Sequence, residues 1–522
     1  MDSDEARTGA QTLVSTLADH GVTACFANPG TSEMHLVTAL DGEARIRSVL
    51  CLFEGVATGA ADGFARVTGQ PAMTLLHLGP GYLNGGANIH NARRACSPMI
   101  NVIGDHAISH QQYDAPLASD IAGLAGPNST WMKTVCSAAS AGELAAEAYA
   151  ESFGPEPGPV SLILPADSAW LPAETREIAR AEPKPRLGPN ADRIETAAHK
   201  LAAARAPCIL VNGTALTPGG LKHAARLKAA GIRVITDTFV PTQRRGAGVF
   251  APDRMQYFAQ PAIGDLEAHD LMLIAGTKPP VAFFAYPDAP SLLVPEGCET
   301  LELGGPDHDS AKLLAALADA INAPLEGAAG PEHRRPDLPK GELTPGHVAD
   351  SMARHMPENA LVADDGVTGS LACFLATMNA APHDWMMLTG GSIGIGLPLA
   401  VGAAVGAPER KVVCLSGDGA GMYTNQGLWT MAREGLDVTT VVFVNHAYRI
   451  LNIELYRTGA GQPGPAAKSM LNIGEPEIDW VKLSESMGVP AQACATGEAF
   501  DAAFEAAMSA KGPRLIAAIV PG

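Results

Sequence analysis

Residues 411–452, KVVCLSGDGAGMYTNQGLWTMAREGLDVTTVVFVNHAYRILN, leave the chain little latitude in what it folds into. The apolar run 412–415 has the composition of a strand buried on both faces of a parallel sheet. It ends in Gly417-Asp418-Gly419, where glycine lets the backbone approach a ligand closely while the Asp side chain turns outward. A helical pattern over 425–434 follows, then a second apolar run over 439–444 that ends in Asn445-His446-Ala447. Strand, helix and strand together deliver Asp418 and Asn445 to the carboxyl edge of one sheet, where open α/β sheets bind ligands. One carboxylate and one amide oxygen are hard donors. They suit a Mg2+ ion that keeps water and takes its other ligands from phosphate oxygens.

The same rhythm of strand and helix runs through the rest of the chain, whose 522 residues are enough for three ordinary domains. Residues 1–180 alternate a helix at 10–20 with strands at 23–26, 47–53, 72–76, 99–103 and 160–164. Polar groups recur where these strands end: Asn28-Pro29-Gly30-Thr31-Ser32-Glu33, Glu54, His77 before a Gly-rich loop at 79–81, and Asp105-His106. The small residues of 55–66 predict a helix that packs closely against a neighbour. A Pro-rich linker at 181–190 leads to a second α/β unit, 191–325, with strands at 208–211, 234–236 and 271–274. This unit carries no G-x-G-x-x-G and no cluster of titratable residues like those of its neighbours, so a dinucleotide reading is weak. A second linker, 326–343, precedes the third unit, 344–522. The fold class expected is therefore α/β, with three doubly wound parallel-sheet domains.

A net charge of −19 argues against nucleic acid or an anionic membrane as partner. The polar, acidic start of the chain does not read as a signal peptide, and no uninterrupted apolar run is long enough to span a bilayer. Nine scattered cysteines without a Cys-x-x-Cys pair look like reduced thiols of a cytoplasmic protein.

Three blocks together carry a resemblance over essentially the whole chain: NPGTSE with LFEGVATGAADGFARVTGQPA, then GGSIGIGLPLAVGAA, then SGDGAGMYTNQGLW through VNHAYRILN. The chain resembles the thiamine-diphosphate-dependent 2-oxo acid decarboxylase and carboligase family, which includes acetolactate synthase, benzoylformate decarboxylase and pyruvate decarboxylase. The resemblance implies thiamine diphosphate and Mg2+ as cofactors, with the first unit binding the pyrimidine and the third the diphosphate. It implies a site between two subunits, hence a homodimer at minimum and commonly a homotetramer. FAD in the middle unit is possible in the family but not expected here.

Residue by residue, the resemblance implies Asp418, Asn445 and the Ala447 carbonyl as metal ligands, with Val444 standing where the family more often has a second Asn. Gly417, Gly419, Ala420 and Gly421 would offer backbone to the diphosphate, and Thr368 lies in a segment that contacts phosphate in relatives, with a simple helix cap as its bland alternative. Ile393 matches the apolar residue that props the cofactor in its bent form, the Gly391 carbonyl would hold the amino group of its pyrimidine, and Ile450 would line the pocket. Glu54 would exchange a proton with the pyrimidine, the step that activates the cofactor; its bland alternative is a Glu at a helix N-terminus. On the substrate side stand His77, Thr31 in place of a family Ser, and, beyond the fourth strand, His106, His110 and Gln112.

Two departures bear on the reaction. Leu451 stands where pyruvate decarboxylases carry a catalytic Glu, and Ala285, between Phe284 and Tyr286, where benzoylformate decarboxylase has a second His. An apolar edge of this kind favours carboligation, as in acetolactate synthase, after decarboxylation of a 2-oxo acid. The alternatives are release of an aldehyde and a non-catalytic, cofactor-binding subunit.

Overall fold

The computed structural model describes residues 7–173, 178–286, 289–458 and 461–521. The acidic first six residues, on which the absence of a signal peptide was argued, lie outside the described residues. Three mostly parallel sheets flanked by helices make an α/β molecule.

The first sheet holds β1 (Ala24–Ala27), β2 (Arg47–Leu50), β3 (Ala72–Leu76), β4 (Met99–Asp105), β5 (Trp131–Thr134) and β6 (Pro159–Pro165), in the order β2-β1-β3-β4-β6-β5. All of its pairs are parallel. β2 ends at Leu50, short of the expected 53, because the Phe53 carbonyl already accepts from Val56 and Ala57 N–H as the helix Glu54–Thr68 begins. The loop expected at 79–81 is instead the first turn of a 17-residue helix, Leu78–Arg94. Pro80 is tolerated there because the first turn of a helix leaves its N–H groups unbonded in any case.

The middle segment supplies a five-stranded parallel sheet: β7 (Pro207–Val211), β8 (Arg233–Thr236), β10 (Asp253–Arg254), β11 (Leu271–Ala275) and β12 (Glu299–Gly304). Between β8 and β10 lies β9 (Thr242–Arg245), which leaves this sheet and pairs antiparallel with β14 (His383–Met387) of the third. The third sheet is completed by β13 (Leu361–Asp365), β15 (Val412–Gly417), β16 (Val438–Val444), β17 (Ala491–Cys494) and β18 (Arg514–Ile519), in the order β17-β18-β16-β15-β13-β14-β9.

Two apolar clusters lie within single units, one in the first and one in the middle, while two others cross unit boundaries. One apolar cluster joins Phe26, Ala60 and Phe64 of the first unit to Leu399, Val401 and Val442 of the third. Another joins Leu313 and Leu317 of the middle unit to Trp385 and Phe504. The first of these rests on two helices, Glu54–Thr68 and Gly396–Gly406, in backbone contact: a Cβ on Gly63 would overlap the Leu399 carbonyl, and one on Gly402 the Ala60 carbonyl. Gly59 meets Pro398 and Gly406 meets Val67, so the helices run the same way. The end that carries Glu54 therefore lies beside the start of the helix that follows Ile393 and Gly394.

Candidate active site

At the carboxyl edge of the third sheet, Gly417 pairs with Phe443, and Asp418 and Asn445 follow just beyond on neighbouring strands. Asp418 is buried, and its Oδ2 accepts from the backbone N–H of Asn445 at 3.0 Å and His446 at 2.7 Å. Oδ1 accepts from Gly419 N–H at 2.9 Å, so the N–H that the sequence pointed to for a diphosphate turns back onto the carboxylate here. Burial pushes the Asp418 carboxyl up, against the pull of these hydrogen bonds. His446, at φ +58°, swings the chain from Asn445 to Ala447, whose N–H donates to Asn445 Oδ1 at 3.0 Å. The Tyr448 ring lies where a Cβ on Gly419 would be, which is why that position is bare. A Cβ on Gly417 would meet the Ala420 Cβ at 4.0 Å; Gly419 and Ala420 lie in the four-residue helix Asp418–Gly421.

These donors fit the expected cation. A buried carboxylate held only by N–H groups gains from a divalent cation, and an amide oxygen stands next to it. Among the described residues no three His, Cys, Asp or Glu side chains cluster as a metal site. A cation here would complete its shell from backbone, water and a phosphate-bearing ligand, as Mg2+ does.

The loop before the helix Gly396–Gly406 is clamped from two sides. From the first unit, His90 Nε2 reaches the Gly390 carbonyl at 3.1 Å and Asn91 Nδ2 donates to the Ser392 carbonyl at 2.8 Å. The Gly391 carbonyl between them accepts no hydrogen bond among the described residues, and Gly391 itself is at φ +77°. From below, Asp365 Oδ2 accepts from Gly394 N–H at 2.7 Å and Gly396 N–H at 3.2 Å. Ile393 is half-buried on the core shared by the first and third units. Thr368 is half-buried and is not a helix cap: Gly369 holds that position, without a side-chain bond.

On the first sheet, Glu54 is buried and opens its helix, but its carboxylate points away from that helix and accepts from Asn84 Nδ2 at 3.0 Å. A Cβ on Gly81 would lie 3.3 Å from both Glu54 Oε1 and His77 Cβ, so the two residues flank one bare position. His77 Nδ1 contacts Glu33 Oε2 at 2.8 Å and Ser32 Oγ at 3.2 Å. Ser32, not Thr31, is the hydroxyl brought to His77; Thr31 is exposed at the start of the turn Thr31–Glu33. His110 is exposed and lies between His106 and Tyr113, tilted to both rings at centroid distances of 5.5 and 5.8 Å. Gln112 is exposed and donates to the Ser109 carbonyl.

Among the described residues no hydrogen bond or ion pair joins the Glu54–His77 set to the Asp418–Asn445 set. Ser32, Glu33, Asn84 and Asp365 were not singled out from the sequence. Ser32 and Glu33 had only their place among the polar groups after the first strand as a signal. In the middle sheet, Asp237 is pushed up by burial and accepts from Asn212 Nδ2 and Thr277 Oγ1, both at 2.7 Å.

Ile450 is half-buried on the helix Arg449–Arg457, next to Leu451, which is 46% exposed. Glu454, the only acid on that helix, takes the Tyr286 hydroxyl on both oxygens, at 3.1 and 3.0 Å. No helix among the described residues is long and apolar enough to cross a membrane.

Residues 7–124 match the family model for the thiamine pyrophosphate enzyme N-terminal TPP binding domain, and 367–518 the one for the C-terminal TPP binding domain. A Mycobacterium tuberculosis protein named "Putative acetolactate synthase large subunit IlvX" is 49% identical over 519 residues, 98% of this chain and 99% of the relative. The benzoylformate decarboxylase of Pseudomonas aeruginosa is 27% identical over 526 residues, 96% of each chain. In fold, the thiamine diphosphate-dependent 4-hydroxybenzoylformate decarboxylase of Rhodococcus jostii RHA1 superposes with a TM-score of 0.84 over 99% of both chains, at 22% identity. On this combination of site and relatives, the chain belongs to the thiamine-diphosphate-dependent 2-oxo acid decarboxylase and carboligase family of enzymes.

Proposed function

We propose that this enzyme decarboxylates a 2-oxo acid and then joins the retained fragment to the carbonyl of a second substrate, using thiamine diphosphate and Mg2+. The observation that carries this reading is the pairing of a proton-handling edge, Glu54 and His77 about Gly81, with an apolar one whose only acid, Glu454, is already bound to Tyr286. In this reading the unit 1–180 takes the pyrimidine, the unit 344–522 takes the diphosphate, and the site is completed by a second copy of the chain.

Asp418, Asn445 and the Ala447 carbonyl would hold Mg2+, and the free Gly391 carbonyl would accept from the cofactor's amino group. When bound, the cofactor supplies the electron sink for loss of CO2. Glu54 gives and takes a proton at Oε1, the oxygen that Asn84 leaves unbound. His77 handles a proton at Nε2 on the substrate side. Ile450 and Leu451 keep water from the edge where the second carbonyl docks, so protonation does not outrun ligation. His77 also favours a second reading, since a proton donor at the substrate side serves the release of an aldehyde.

A panel of 2-oxo acids, with and without aldehyde acceptors, in thiamine diphosphate and Mg2+, decides between them when products are identified by mass. Ligated hydroxy ketones or acetohydroxy acids are expected, with CO2 release falling about 10²- to 10⁴-fold in Glu54→Gln. Acetaldehyde alone from pyruvate, with no acetolactate or acetoin, overturns the ligation step. A colourless holoenzyme is expected; a tightly bound yellow chromophore would bring FAD into the middle unit.

A further inference from the structure

Three residues of the turn after β1 close on His77, and the chemistry of their atoms leaves one proton arrangement. The Glu33 side chain is fully buried, and His77 is its only ion-pair partner among the described residues. An ionised carboxylate only accepts. Glu33 Oε2 lies 2.9 Å from Gly30 N and 2.8 Å from His77 Nδ1, and Oε1 lies 2.6 Å from Ser32 Oγ. The one proton of Ser32 goes to Oε1, so Ser32 has none for His77, 3.2 Å away. The proton between His77 and Glu33 is therefore carried by Nδ1, and whenever the ring is neutral its lone pair is on Nε2.

The neighbouring backbone fixes this arrangement. A Cβ on Gly30 would run into the His77 ring, and one on Gly104, in β4, into the Glu33 carboxylate. Both groups are thus seated against bare backbone. A buried carboxylate with no Arg or Lys partner is costly to keep. A residue needed only to close the turn could have been an amide.

We propose that Glu33, supported by Ser32, is a positioning residue that fixes His77 with Nδ1–H bound and Nε2 bare, so that His77 meets the substrate as a proton acceptor and returns that proton later. This rests on the assignment of His77 to substrate chemistry, and the test separates the two. CO2 release by the holoenzyme is measured for Glu33→Gln, His77→Ala and the double variant, alongside melting temperature and calorimetric cofactor affinity. An amide can donate to Nδ1 and so move the ring proton to Nε2. Glu33→Gln is therefore expected to lower kcat about 10²-fold or more with KM little changed, and to have no further effect in the His77→Ala background.

Equal losses in both backgrounds, or an unchanged kcat, overturn the proposal for Glu33. If His77→Ala retains full activity, the assignment of His77 itself is what fails. Where Glu33→Gln does not fold, Ser32→Ala takes its place in the same cycle. A several-fold fall in kcat that vanishes without His77 supports the coupling, and no fall overturns it.

Discussion

Asp365 carries a charge that its surroundings do not welcome. Its carboxyl is pushed up to about 7, first by burial and further by Asp364 beside it; the N–H groups of Gly394, Ile395 and Gly396 oppose the rise. Oδ1 is buried without a partner. Because the folded value lies above the unfolded one, folding favours the protonated form. The stability it lends is full below about pH 4 and is lost as pH rises through about 7. Asp365→Asn should therefore gain about 1–3 kcal/mol on the wild type between pH 5 and pH 8, read as a melting difference that grows with pH. A difference that stays constant with pH would show that Asp365 ionises at no cost.

The legibility of single residues follows the same line. Glu54, Asp418 and Asn445 were singled out because each sits in a motif block of contiguous residues that carries the resemblance. Glu33 and Asp365 were not, because their meaning lies in what reaches them from far along the chain: His77 and Gly104 for one, Gly394 and Gly396 for the other.

Elements were legible where burial sets the pattern. β3, β15 and β16 are apolar runs buried along nearly their whole length, and the sequence placed them within a residue or two. The start of the helix Leu78–Arg94 was missed because Gly-Pro-Gly suggests a loop, whereas here the glycines clear space for Ser119 and for the Glu54–His77 edge. β9 was missed because its sequence, Thr-Gln-Arg-Arg, is polar and its partners lie far along the chain. The crossing of Glu54–Thr68 over Gly396–Gly406 was foreseen only as a tight packing, without its partner. Gly402→Val should force those backbones apart and cost about 3 kcal/mol or more, read as a lower melting temperature with loss of cofactor binding. A variant that melts like the wild type would show that the contact is not needed to hold the first and third units together.

For the molecule as a whole, the third unit shares one core with the first unit and another with the middle unit. The thiamine diphosphate–Mg2+ pair, taken as one ligand at about 100 times its Kd, should stabilise the fold by about 2.7 kcal/mol, and Asp418→Ala should abolish the share that depends on the metal. Native mass spectrometry of the holoenzyme should find at least two copies of the 53.9 kDa chain; a monomer that still binds cofactor and turns over would remove the need for a second copy.

β9 has a last consequence, for recombination. Arg245 at its end is buried in the third unit, its guanidinium 3.5 Å from the Phe374 ring centre and its pKa brought down to about 9 by that burial. A chimera cut at the two linkers, with a relative's middle segment spliced in, would import a foreign edge strand for the neighbouring sheet and a foreign cation for its aromatic seat. Grafts that retain 242–245 from the recipient should express as folded enzyme where linker-to-linker grafts do not, so the heritable unit of this protein is discontinuous in its gene.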